Sequence, residues 1–577
     1  MYSVAMTPKR RAWIAATSAL LAAIALSACP SGGPDLGEPH DPASLCEDSF
    51  RESIEQLQLS VNRDVDILFV IDNSGSMAEE QARLAASAGP LFERLDALDA
   101  NYRIAFTTTD NGNPWCPPGQ TTPEGGSLVL SSCTERLGDF IFDGGMIDAQ
   151  DLACNDLCTL DSGALSISPT TTDVDPQAQP RPWFERREGL SNLPAGTDPA
   201  AAFACFAPQG INGCGFESQL ESLYLALIRA QDSNQDSYGF LRASSVLAVV
   251  VLSDEADCSY NKDFAEIFDA DGSKAFWSDP EAAFPSSAVC WNAGVACEGD
   301  PSAYDSCEPA NYDLTGAGAS DADAVLHPLP RYAGLLDGLE DEKQQLNPDQ
   351  QLIVSVIAGV EGGGADWSVS YADAADPEHQ LAYGIGPGCV DPNGDPAVPP
   401  VRMRALAESC AFGGQPAALH SVCADDYSAA LADLGERIAA QMPPACFSKC
   451  VADTELSTPQ LEPDCVVEQD PPGNDNTERV ESCPRDEQGQ YLIDPETDDY
   501  QLPEGVDVCY AALIDPDGAQ TLDPRDDMSA ACSDQGYNLE FALVRRDGVP
   551  VPGGTSISVE CELDDCPELN CPNIGGG

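Results

Sequence analysis

Basic residues are scarce in this chain: Lys and Arg number 27 against 96 Asp and Glu, a formal net charge of −69 over 577 residues. A surface of that sign repels phosphate backbones and anionic lipid, which argues against nucleic acid as a partner. Histidine is scarcer still. His40, His327, His379 and His420 are widely scattered, so no His-rich catalytic zinc constellation forms. Beyond the N-terminus, no uncharged apolar stretch approaches the ~20 residues that a membrane-spanning helix needs. No G-x-S-x-G nucleophile elbow occurs, and Ser74 has no histidine near it in sequence, which leaves enzymatic turnover without a visible nucleophile system. A chain that is 43% hydrophobic is nevertheless too apolar for general disorder. Its acidity fits either a solvated surface in saline surroundings or a surface that collects cations.

The N-terminus carries an export signal. Lys9, Arg10 and Arg11 precede an uncharged apolar run over 12–28 that ends in Leu26-Ser27-Ala28-Cys29. This ending resembles the lipobox of bacterial lipoproteins, which implies cleavage before Cys29 and acylation of its thiol. Pro30 after the cysteine, in place of the Asp that tends to retain such lipoproteins in the inner membrane, implies an outer-membrane address in a Gram-negative cell envelope. Membrane contact is expected through that lipid anchor only. Residues 1–28 then form the signal peptide and 29–63 a lipidated tether.

Cysteine usage agrees with export, because thiols pair in oxidising compartments. Setting Cys29 aside from the 24 cysteines leaves an odd number, so at least one lacks an intramolecular partner. Cys154-x3-Cys158, Cys446-x3-Cys450 and Cys561-x4-Cys566-x4-Cys571 sit in Pro- and Gly-rich exported sequence, where disulfides are favoured over zinc.

Residues 65–71 (VDILFVI) form a β-branched run that stops at Asp72-Asn73-Ser74-Gly75-Ser76, as a buried strand ending in a polar turn would. A helix with Leu84, Leu91, Leu95 and Leu98 follows, interrupted at Gly89-Pro90. A second strand is expected over 102–107, another over 246–252 (VLAVVVL) ending at Ser253-Asp254-Glu255, and a further one over 352–357. Helices are expected from Phe216 to Ile228 and over 427–442. Apolar strands alternating with helices imply an α/β fold with a doubly wound, mostly parallel sheet spanning 64–442. Disulfide-rich insertions are expected near 111–212 and 258–348. Residues 443–577 read as a small Cys-rich β domain. Within it, Leu539, Phe541 and Leu543 turn at Asp547-Gly548 towards a partner strand bearing Ile557, Val559 and Cys561.

In open α/β sheets, ligands bind beyond the carboxyl ends of the strands where strand order reverses. Asp72 and Asp254 both stand at such ends, and Ser74 and Ser76 add hydroxyl oxygens around the turn at Gly75. Hard oxygen ligands of this kind suit Mg²⁺ or Ca²⁺, with Mn²⁺ a further fit. Here the sequence resembles the von Willebrand factor A family. Its metal-ion-dependent adhesion motif D-x-S-x-S is matched by Asp72-Asn73-Ser74-Gly75-Ser76, and its later metal-site Asp by Asp254. The resemblance implies a divalent cation held by Asp72, Ser74, Ser76 and Asp254, with an open position for a carboxylate on a protein or other surface ligand. It implies binding without catalysis. The family's loop threonine is missing from Gly210-Ile211-Asn212-Gly213-Cys214-Gly215-Phe216-Glu217, where Glu217 is the candidate replacement and Thr108 a weaker one. The competing expectation is a metal-free, disulfide-bonded envelope scaffold in which Ser74 and Ser76 only cap the helix. Replacing Cys29 with Ser should move the protein from membrane to soluble fractions; unchanged fractionation would overturn the lipid anchor.

Overall fold

A computed structural model describes residues 54–59 and 63–574, apart from 117–120, 188, 346–349, 412–415, 443, 455–460, 471–476, 487–488, 496–498, 517–523, 547–554 and 572–573. The expected signal peptide, Cys29 and the turn at Asp547-Gly548 lie outside the described residues. Among the described residues, no helix is long and apolar enough to cross a membrane.

The expected tether over 29–63 is corrected at its end: β1 (Ile54–Leu59) is a strand of the C-terminal sheet. The next strand, β2 (Asp64–Ile71), shows why a parallel sheet forms. Its six apolar side chains Val65, Ile67, Leu68, Phe69, Val70 and Ile71 are at most 1% exposed, and period-two alternation sends them to opposite faces. Their burial contributes on the order of 10 kcal/mol in total. After β2 come α1 (Ala78–Ala86) and α2 (Gly89–Ala97), two helices separated where Gly89-Pro90 interrupts the pattern. The chain continues through β3 (Asn101–Thr108), β4 (Phe184–Arg187), α3 (Pro199–Phe206), α4 (Gln219–Ala230), β5 (Val246–Leu252), α5 (Pro330–Gln344), β6 (Ile353–Ala358), α6 (Val401–Ser409), β7 (Ala418–Ser421) and α7 (Ser428–Ala440).

The sheet runs β7-β6-β5-β2-β3-β4, with two-residue strands at both edges. All neighbours from β7 to β3 are parallel, whereas β4 is antiparallel to β3. From β2 the chain winds outward through β3, then returns to the other side at β5, so strand order reverses between β2 and β5. One face packs Phe69, Leu91, Leu95, Phe203 and Leu434, while the other packs Leu68, Leu223, Leu227, Tyr332, Leu336 and Met403. The sheet is thus covered on both sides, as the doubly wound expectation requires.

Both expected insertions are too long as drawn. The stretch 111–212 contains β4 and α3, and 258–348 contains α5, whose Tyr332, Leu336 and Leu339 belong to the core. β7 escaped notice because its sequence, ALHS, has little strand character. The C-terminal unit departs further. Its sheet has the order β1-β13-β9-β10-β11-β12-β8, built from β8 (Ala445–Cys446), β9 (Cys465–Asp470), β10 (Glu478–Ser482), β11 (Val508–Leu513), β12 (Glu540–Arg545) and β13 (Ser556–Glu562). The expected hairpin is absent, since β12 pairs with β11 and β8, while β13 pairs with β9 and β1. Ile557, Val559 and Cys561 do share a buried face.

Disulfides staple the loops. Cys116–Cys214, Cys133–Cys154 and Cys158–Cys205 hold the first insertion, Cys258–Cys290 and Cys297–Cys307 the second, and Cys389–Cys423 a later loop. Cys446–Cys532, Cys450–Cys571, Cys465–Cys561 and Cys483–Cys509 hold the C-terminal unit. Among the described residues Cys410 is the free cysteine, and burial pushes its thiol up to about 11, which keeps it unreactive at neutral pH.

The amino end of the sheet is electrostatically closed. Asp66, fully buried in β2, accepts bonds from Arg242 Nε at 2.8 Å, Arg242 N at 2.7 Å and Ser245 Oγ at 2.5 Å. Lys343 Nζ donates to Arg242 O at 2.7 Å and Ser245 O at 2.9 Å. Burial would raise the Asp66 carboxyl, but Arg242, Arg103 and Lys343 hold it below the usual carboxylate range. Removing one partner of a buried pair leaves an uncompensated charge. Arg242→Met should therefore cost about 3–5 kcal/mol in chemical denaturation with disulfides intact, and Asp66→Leu combined with Arg242→Met should recover most of that loss.

Candidate cation site at the carboxyl end of the sheet

The turn after β2 is fixed by the ladders on either side of it. Asp72 N donates to Leu252 O at 3.0 Å, Thr109 N to Ile71 O at 3.1 Å, and Ser253 N to Ile357 O at 3.1 Å. These bonds place Asp72 beside Ser253 although 181 residues separate them, and Ser253 Oγ donates to Asp72 Oδ2 at 2.5 Å. Asp72 Oδ1 accepts from Ser74 N at 2.9 Å, while the Ser74 and Ser76 hydroxyl oxygens lie 3.2 Å apart. Asp72, Ser74, Ser76 and Asp254, the four residues expected at the site, therefore converge on one sheet edge, and the Ser76 hydroxyl acts on the Asp254 carboxyl.

The loop that carries Glu217 is held against this turn. Gly213 N donates to Asn73 O at 2.7 Å, Cys214 N to Asp110 Oδ2 at 3.3 Å, and Ser218 N to Thr109 O at 2.9 Å. Glycine is required at 213, because a Cβ there would stand 2.2 Å from Asn73 Oδ1. Gln81, inside α1, joins both segments: its Nε2 donates to Asp72 O and Gly210 O, and its Oε1 accepts from Gln209 N at 2.7 Å.

Glu217 is brought to the site, being 2% exposed, and Asp72, Glu255 and Asp254 are the charges that act on it. Thr108 is not. Its hydroxyl donates to the Glu124 carboxylate, and the alternation of β3 instead turns Thr109 towards Asp72. The Thr109 hydroxyl stands near enough to favour the charged form of Asp72 yet makes no hydrogen bond of normal geometry. Thr109 and Ser253 were missed in the sequence, whereas Glu255 was read there as a further acid beside Asp254. Ser253 and Glu255 flank Asp254, so their place after β5 was the available signal.

Four carboxyls thus meet here: Asp72, Glu217, Asp254 and Glu255. All are raised, first by burial. Mutual repulsion adds to this for Glu217, Asp254 and Glu255, whereas serine and threonine hydroxyls partly offset it at Asp72. No basic side chain is among the leading influences on any of them. Arg83, on the adjoining helix, is taken up by Glu79 at 3.0 Å, Glu80 at 3.4 Å and Asp391 at 2.7 Å. Asp254 and Glu255 keep part of their surface exposed, which leaves water a route inward.

The donor set fits a hard divalent cation. Asn73 Oδ1, Thr109 Oγ1, Glu217 Oε1 and Asp254 Oδ1 are buried oxygens without hydrogen-bond partners. Asp72, Ser74, Ser76 and Asp254, with Glu217 and Thr109, are the residues that could hold such an ion, with water completing the set. Three carboxylate oxygens within 4.8 Å of one another are found elsewhere among the described residues, at Asp515, Asp526 and Asp527 in the C-terminal unit. Among the described residues, the strand-end carboxylates form no such trio. The acidic clusters near Asp269 and Asp391 are turns, with Asp391 Oδ1 accepting from Asn393 N and Asp395 N.

Apolar side chains rim the recess. A Cβ on Gly75 would meet the Phe142 ring at 2.8 Å, so Phe142 lies directly over the turn. Its hairpin exposes Ile141, Ile147 and Met146, the last at 80%. In the loops stapled by Cys116–Cys214 and Cys258–Cys290, Trp115 and Phe284 pack with ring centroids 6.0 Å apart, and Phe284 is 61% exposed.

No protein-family profile matches the sequence, and no curated protein matches it. Solved structures that match include the pilus adhesin SpaC from Lactobacillus rhamnosus GG in its open conformation, at 9% identity and TM-score 0.26, covering 89% of this chain and 41% of SpaC. The pilus adhesin RrgA from Streptococcus pneumoniae matches at 10% identity and TM-score 0.21, covering 89% of this chain and 58% of RrgA. The chain spans less than two thirds of either adhesin. At these TM-scores the likeness bears on neither fold nor function.

Glu124, the partner of Thr108, supplies a pH test away from the recess. Burial raises its carboxyl from 4.5 to about 6, so its contribution to stability is full below 4.5 and is lost as pH rises through 6. Glu124→Gln should flatten the stability profile across that window by up to about 2 kcal/mol, read by denaturant melts at pH 4.5 and pH 7.

Proposed function

We propose that this protein is a surface-anchored binding module of the von Willebrand factor A type, which uses a divalent cation at the carboxyl end of its sheet to engage an acidic group on a protein or other surface ligand. The observation that carries this reading is the set of four buried, unpartnered oxygens on Asn73, Thr109, Glu217 and Asp254, where no basic side chain is among the leading influences on the Glu217 and Asp254 carboxyls. Strand order supports it as well, since the D-x-S-x-S turn and Asp254 flank the point where that order reverses.

A bound divalent cation supplies an electrophilic position that a partner's carboxylate can fill. The protein's part is to hold oxygens in place for it. Ser74 N and Ser253 Oγ orient the Asp72 carboxylate, and the turn at Gly75 sets the Ser74 and Ser76 hydroxyls side by side. Phe142, over the turn at Gly75, and Met146 in the same hairpin offer apolar contact area, which favours a macromolecular partner over a free small acid. Anchoring through Cys29 would present this edge from the cell envelope. Binding without turnover is the activity proposed.

Added Ca²⁺, Mg²⁺ or Mn²⁺ should raise the melting temperature of the wild type relative to chelator, a gain of about 2.7 kcal/mol when free metal exceeds its dissociation constant a hundredfold. Asp72→Ala should abolish that rise while keeping the disulfides, and Ser74→Ala should weaken it less, because water replaces a neutral hydroxyl more readily than a charged ligand. Identical melts of wild type and Asp72→Ala, with metal and with chelator, would make the metal-free disulfide scaffold the better account.

A further inference from the structure

Glu217 combines a backbone held by its neighbours with a carboxylate oxygen that has no partner, a combination it shares with Asp254. Cys258 N donates to Glu217 O at 2.7 Å, Ser218 N donates to Thr109 O at 2.9 Å, and Cys214 is tied to Cys116 by a disulfide. Yet Glu217 Oε1, on a residue 2% exposed, has no hydrogen-bond partner. Gly215 puts no side chain against it, since a Cβ there would stand 3.8 Å from Oε1. Glu255, by contrast, is half-buried, and its N–H is already bonded to Ser253 Oγ.

Charge arithmetic gives this oxygen a role. Asp72 and Asp254, when ionised, already neutralise a divalent ion, so a third carboxylate from the same chain answers to the same charge as a partner's acid would. A neutral hydroxyl in this loop, as the von Willebrand factor A resemblance implies, would leave that position open. We propose that Glu217 is a built-in anionic ligand of the site, taking the position that a partner's carboxylate would otherwise fill, so that partner binding is a displacement of Glu217. This rests on the cation-site reading above. Because the carboxylates do not gather within 4.8 Å at the strand ends, Glu217 closes the set by a side-chain rotation on a stationary loop, and the same rotation reopens it.

Mn²⁺ alone serves as the probe, with acetate as the competing acid, on the full chain. Electron paramagnetic resonance measures Mn²⁺ affinity, and water-proton relaxation reports solvent positions on the bound ion. The wild type should bind Mn²⁺ with little relaxation enhancement and no response to acetate. Glu217→Thr should bind about tenfold more weakly, relax water faster, and lose that enhancement when acetate is added at the same concentration. Glu217→Gln, neutral and of the same size, should show the weaker binding with an unchanged circular dichroism spectrum. Equal Mn²⁺ affinity, relaxation and acetate response in all three proteins would overturn the role of Glu217 and leave the cation site standing. Failure of the wild type and both variants to bind Mn²⁺ would overturn both readings.

Discussion

The parallel pairing of β2 with β5 is the constraint on which the rest of this molecule depends. Ile71 lies opposite Leu252, so the chain leaves two neighbouring strands at the same level with Asp72 on one side and Ser253-Asp254 on the other. Backbone hydrogen bonds and apolar packing enforce that proximity regardless of charge. The two ends of the sheet then diverge. At the amino end, Asp66 is answered by Arg242, Arg103 and Lys343. At the carboxyl end, carboxylates collect without a basic side chain among the leading influences on them. In a chain with 27 basic and 96 acidic residues, the few cations are allocated unevenly: they close one end and are not among the leading influences on the carboxyls of the other.

The insertions serve this second end. Cys116–Cys214 spans 98 residues and joins the base of the first insertion to the loop ahead of Glu217, while Cys258–Cys290 fixes the segment after Asp257. Closing a loop of about 100 residues removes chain entropy worth roughly 4.7 kcal/mol from the unfolded state. Such staples offset the repulsion among acids that would otherwise push the loops apart. The apolar hairpin around Phe142 is a product of the same insertion, so the element that makes the domain larger also supplies contact area beside the recess.

Much of the first domain was legible because its core strands are fully apolar, and a run such as VLAVVVL has few alternatives. D-x-S-x-S after such a strand located Asp72, Ser74 and Ser76, and the end of β5 located Asp254. The rest failed for identifiable reasons. β4 and α5 lie beside Cys- and Pro-rich sequence and were absorbed into the insertions; β7 is only four residues long. Thr108 and Thr109 are adjacent, and in a strand one step reverses the face, so the wrong threonine was chosen. In the C-terminal sheet, β12 and β13 have the alternation of a hairpin yet pair elsewhere. Pairing partners there are set by distant residues such as Ile54–Leu59 opposite Ser556–Glu562, and periodicity carries no information about that.

On the cation-site proposal, the recess would be neutralised by a metal rather than by protons. A proton would satisfy one carboxyl at a time and leave Asn73 Oδ1 and Thr109 Oγ1 as they are, whereas a single ion with its waters can answer several oxygens from different segments together. Hydroxyls from Ser74, Ser76 and Thr109 are poor acceptors of a shared proton but adequate ligands for a hard cation. At the other end of the sheet the same problem is met from within, by Arg242 beside Asp66.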